Sequence, residues 1–113
     1  MSIIINGGGS GGGIASKVAT TTAATVSCYS ALKTITTTAV NVKSWLPNNS
    51  VINDIVIQSD EGNGVKIQVS ATDNGIGPRI GAGGAFSSTQ SYDLFVKTLS
   101  STAAAYVMIT YTT

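Results

Sequence analysis

β-branched side chains dominate this sequence: 12 Ile, 10 Val and 15 Thr make up 37 of its 113 residues. Two heavy atoms on Cβ restrict χ1 in a helix but pack well on a pleated surface. A helical chain would instead be rich in Leu, Glu and Lys. Here Leu occurs four times and Glu once, at Glu61. The chain is therefore expected to be all-β. Its length suits one domain, and such a chain buries roughly 60–70% of its unfolded surface, enough for one modest core.

Charge and nucleophile content exclude whole classes of chemistry. Charged residues are 10% of the chain and the net charge is +1. A nucleic-acid binder needs a basic stripe, so no nucleic-acid partner is expected. The absence of His removes Ser-His-Asp and Cys-His sites and every His-ligated metal. The lone Cys28 cannot close an intrachain disulfide and calls for no oxidising compartment. No apolar run approaches the roughly 18 residues of a membrane span, and residues 1–5 are too short and uncharged for a signal peptide. A soluble chain with no membrane partner is expected.

Patterning along the chain gives the candidate strands. Residues 17–29 lack Gly and Pro and read as a strand with Val18, Val26 and Cys28 on one parity, Cys28 as a small buried hydrophobe. Residues 32–43 form a second candidate, and residues 44–50 a turn in which Pro47 sets φ and Asn48 and Asn49 tolerate the left-handed region. Residues 51–58 and 65–71 alternate around the turn at 60–64 and predict a β-hairpin. Residues 72–84 read as a long loop with a short strand near Ile80. Residues 91–99 place Tyr92, Leu94 and Val96 on one parity, and residues 103–112 predict a buried central strand. About six to eight short strands with turns roughly every 8–12 residues suggest an antiparallel sandwich or small barrel.

Residues 6–13 hold six Gly in eight positions and read as a loose tether. Ile3, Ile4 and Ile5 ahead of it make an apolar tip, expected to be a partner-docking arm, with a disordered terminus as the bland alternative. The domain organisation is thus a flexible glycine-rich arm over 1–15 and a β-sandwich over 16–113. The run formally satisfies GxGxxG, but composition nearly guarantees that match. A phosphate loop fails at Lys17, which Ser16 precedes and Val18 follows.

Asp54, Asp60, Glu61 and Asp73 lie around the expected hairpin without EF-hand spacing; Asp60 and Glu61 read as a solvated turn rather than a metal site, and nothing in the sequence arranges Asp54 and Asp73 as a hydrolase pair. No metal, no cofactor and no catalytic residue is expected, and the chain is not expected to be an enzyme. Trp45, the single Trp, is either an exposed anchor for a partner or a sugar, or a plug at one end of the sandwich. Ile3, Ile4, Ile5 and Trp45 are the candidate partner-binding residues.

Ser2, Ile3, Ile4, Ile5 and Asn6 ahead of the Gly run resemble the N-termini of small virion structural proteins of tailed bacteriophages. The second half adds to the likeness. An IVIQS strand, Asn63-Gly64, a VKIQVS strand, the Gly-rich residues 81–84 and then YDLFVKTLSSTAAAYVMITY are similar to the β-sandwich modules that decorate phage heads or build their appendages. Residues 51–113 carry most of it. The expected fold is a single antiparallel β-sandwich, jelly-roll-like, although periodicity does not write the strand order, and the resemblance implies a role without enzymatic activity. It also implies a homo-oligomer, often a trimer, that docks to the major capsid protein or other virion proteins. The expected function is capsid decoration or cement, and the expected location the virion. The alternatives are a tail, collar or baseplate component and, from a different class, a carbohydrate-binding module.

Overall fold

Burial alternates along the long strands as period-2 patterning requires. The computed structural model describes residues 25–89 and 92–113. Eight strands are present there: β1 (Val26–Ile35), β2 (Val40–Asn41), β3 (Val51–Ser59), β4 (Ile67–Ser70), β5 (Arg79–Ile80), β6 (Ala85–Ser88), β7 (Phe95–Thr98) and β8 (Ala103–Thr112). One 3-10 turn, Val42–Trp45, follows β2, and Asn41 caps it by accepting from the Lys43 amide. In β8 the odd-numbered Ala103, Ala105, Val107 and Ile109 are buried, while Tyr106 and Met108 point outward.

The strands form two antiparallel four-stranded sheets, ordered β1-β8-β3-β6 and β2-β7-β4-β5. Their inner faces share one core. Ile55, Ile57, Val107 and Ile109 come from the first sheet, and Ile67, Val69, Ile80 and Val96 from the second. Each such side chain contributes about 1.5–3 kcal/mol on burial. Ala103 and Ala105 keep the β8 face low where the layers meet. A bulge at Asn53 lets Ile52 and Ile55 both face inward despite their odd spacing. The Asn53 amide donates to Thr112 Oγ1 at 2.8 Å across the irregularity.

The all-β expectation holds, and several local expectations do not. Cys28 is exposed rather than buried: Val26 and Cys28 do share a parity, but it is the outward one. Alternation gives which residues share a face, not which face meets the core. Residues 32–43 are not one strand, because Leu32–Ile35 completes β1 and the chain then crosses to β2 in the other sheet. The β3–β4 hairpin is an arch. β3 pairs with β8 and β6, whereas β4 pairs with β5 and β7. Residues 60–66 are long enough to span the roughly 10 Å between layers. The seventh strand begins at Phe95 rather than at residue 91, and β6, with its small and polar AFSS sequence, was not expected. β8 is central, but buried on one face only. Residues 1–24, which include the expected arm with Ile3, Ile4 and Ile5, lie outside the described residues.

Candidate functional site

The two sheets differ in what covers their outer faces. On β2-β7-β4-β5 the chain covers itself. Residues 71–78 fold back over β4, with Pro78 O accepting from Val69 N at 2.9 Å, Gly75 O from Gln68 Nε2 at 2.7 Å and Thr72 O from Ser70 Oγ at 2.7 Å. Gln68 and Ser70 are buried beneath that loop although they point away from the core. Two of the described cations, Arg79 and Lys97, stand on this side, opposite Gln68 in the register.

On β1-β8-β3-β6 no described segment covers the outer face. Its rows follow from the register: Val26, Thr112 and Val51; Cys28, Thr110 and Asp54; Ser30, Met108, Val56 and Ser87; Leu32, Tyr106, Gln58 and Ala85. Leu32 is 60%, Met108 54%, Tyr106 49% and Val56 41% exposed. A shallow groove of about 450 Å³ runs along Ser30, Met108, Val56, Tyr106 and Gln58. Among these outward positions Asp54 alone carries a charge. Asp60 and Glu61 rim the face at the Tyr106 end, where a hydrogen bond to the Asp60 carboxylate pushes the Tyr106 phenol pKa up. A solvated sheet face ordinarily alternates apolar-in with charged or polar-out. This one is apolar along its centre, the kind of contiguous patch that marks an interaction surface.

The sequence did contain the signal for this face. β8 is apolar on both parities, with Val107 and Ile109 on one and Tyr106 and Met108 on the other. That pattern reads as a strand buried on both sides. The two-layer fold supplies only one of the two covers.

Trp45 ends the 3-10 turn after β2 and packs, half-buried, against the core between the edge strands β1 and β2. The Lys33 ammonium lies over its ring at 5.1 Å from the centroid, and 5.6 Å from that of Tyr29. Lys33 belongs to the inward parity of β1, and stacking on two rings satisfies a charge that would otherwise face the core. An aromatic platform for a sugar needs an open ring face, and here a cation occupies one.

The acidic residues are spread over the surface, and no group of three or more metal-ligating side chains occurs among the described residues. Lys43 pairs with Asp93 at 3.6 Å. No helix among the described residues is long and apolar enough to cross a membrane. Compared with protein-family models, with curated proteins and with solved structures, the chain gives no match.

Proposed function

We propose that the chain is a bacteriophage virion structural protein, a capsid decoration or cement protein that binds and stabilises the head as a homo-oligomer. The order of strand pairing carries this reading. β1 pairs with β8, β2 with β7, β3 with β6 and β4 with β5. That order arises when one long antiparallel hairpin is rolled into two layers, with β3–β8 and β4–β7 as the added contacts. We read this order as a jelly-roll arrangement, which viral capsid domains use.

A fold hosts many functions, so the surface must add its own argument. The uncovered apolar face suits a permanent assembly, in which neighbours exclude water from it. Low charge suits the same setting. In this reading Ile3, Ile4 and Ile5, on their glycine-rich arm, dock to the major capsid protein. Several arms on one oligomer then raise avidity through effective concentration. Lectin domains share the jelly-roll arrangement, but the cation over Trp45 disfavours a glycan platform.

The test is a native pull-down with the tagged full-length chain from lysate of its natural source, read by mass spectrometry. Recovery of the major capsid protein supports head decoration. Recovery of tail or portal-vertex proteins instead moves the chain to a tail, collar or baseplate role. Recovery of neither overturns the virion reading.

A further inference from the structure

We propose that the outer face of the β1-β8-β3-β6 sheet is where two copies of this chain meet, face to face about a two-fold axis. The inference rests on the homo-oligomer of the virion reading and names the surface that makes it.

Three observations select a second copy as the occupant. The first is charge. A partner of opposite sign needs a field to recognise, and this face carries only Asp54 among its outward strand positions. A second copy of the face brings no repelling cluster. The second is arrangement. A two-fold axis across the strands at Met108 stacks Met108 on its own copy and reverses the order of the rows. Asp54 then falls opposite the partner's Gln58, whose amide can donate to it. The acidic rim at Asp60 and Glu61 falls over the Val26, Thr112 and Val51 row, whose side chains carry no charge. Apolar Leu32 and Tyr106 meet the Cys28 and Thr110 row. The third is area. β1, β8, β3 and β6 run to ten, ten, nine and four residues, and at about 3.3 Å per residue and about 4.8 Å between strands they give a face of roughly 520 Å². Two such faces together come to about 1,050 Å², just above the roughly 1,000 Å² that a biological interface should clear. Sheets stack readily in this way, roughly 10 Å apart and within about 30° of alignment.

The contact is isologous, so it closes at two copies, where the sequence resemblance implied three. The sheet on the other side carries its own cover in residues 71–78 and is not available for an equivalent contact.

The test is sedimentation equilibrium of the full-length chain over about a hundredfold range of micromolar concentration, for the wild type, Met108→Lys and Val56→Lys. The wild type is expected to be a reversible dimer. Each substitution places an unpaired ammonium in the apolar centre of the contact and is expected to weaken the dimer by about tenfold or more. Both side chains point away from the core, so far-UV circular dichroism should not change. A wild type that stays monomeric or forms trimers overturns the proposal, as does a dimer unmoved by both substitutions. A monomer that associates once residues 1–24 are deleted also overturns it, since the chain's own N-terminal segment is then the cover. The two readings fail separately. A dimer that recovers no virion protein keeps the interface and removes the virion function, whereas a monomeric wild type that still recovers capsid protein does the reverse.

Discussion

The side-chain amide of Asn63 pairs with the backbone of Ala104 in both directions. Nδ2 donates to Ala104 O at 2.7 Å, and Ala104 N donates to Oδ1 at 2.9 Å. Nδ2 also donates to Ser59 Oγ at 2.8 Å. The amide stands in for a neighbouring strand at the start of β8 and fixes where the β3–β4 arch leaves its sheet. Asn63→Ala is expected to cost about 1–3 kcal/mol, because a part-buried backbone donor loses its partner. Urea unfolding should show a lower midpoint with an unchanged slope. A change within about 0.5 kcal/mol, the range of an ordinary surface substitution, would show that the amide does not hold the arch.

Two glycines on the same pair of loops should behave oppositely. A Cβ on Gly77 would run into the Val69 carbonyl, where residues 71–78 close over β4, whereas one on Gly64 meets nothing within 4 Å. Gly77→Ala is expected to destabilise by about 2 kcal/mol or more. Gly64→Ala is expected to be neutral or to stabilise by up to about 1 kcal/mol, by restricting the unfolded chain. Equal effects in thermal unfolding would contradict the close fit of the cover.

Lys33 and Trp45 should be energetically coupled. A double-mutant cycle with Lys33→Met and Trp45→Leu is expected to give about 0.5–1 kcal/mol, the value of a partly exposed cation–π pair. A coupling of zero would mean that Lys33 lies over the ring without being held there.

Tyr106 gives the molecule an alkaline signature. Its neutral phenol donates to Asp60, and the neighbouring carboxylates Asp60 and Glu61 oppose a phenolate, so its pKa lies above the ordinary value of about 10. The folded pKa exceeds the unfolded one. The contribution is therefore complete below the unfolded value and is lost as pH rises through the folded one. Phenolate absorbance should show one tyrosine titrating late, and Asp60→Asn should bring it back towards the ordinary value. A titration unchanged by Asp60→Asn would remove Asp60 as the cause.

Deleting residues 1–13 should separate docking from folding. Loss of capsid-protein recovery with a thermal midpoint nearly equal to that of the full chain is the expected result. Undiminished recovery would remove Ile3, Ile4 and Ile5 from the proposed contact.

Much of the strand content was legible because it depends on spacing alone. Val65, Ile67 and Val69 alternate with polar residues, and Ala103–Thr112 carries strand-forming residues without a break. Pro47 and Asn49 mark the turn before β3, and Asn49 does take a positive φ of 65°. β6 was not legible. Its AFSS sequence has little apolar alternation, and it is a strand because Ala85–Ser88 finds the free edge of β3. Cys28 and the Val26 parity illustrate the same limit from the other side.

The sequence by itself determined that this chain is all-β, where most of its turns fall, and which side chains share a face. Those properties follow from χ1 preference and a two-residue period, both local. The tertiary structure alone decided that residues 60–66 form an arch rather than a hairpin turn, and that residues 71–78 cover one sheet. It also decided that the Leu32, Met108 and Val56 side of the other sheet is left open. Each of these depends on which strand lies beside which, and strands far apart in sequence set that pairing through a shared core.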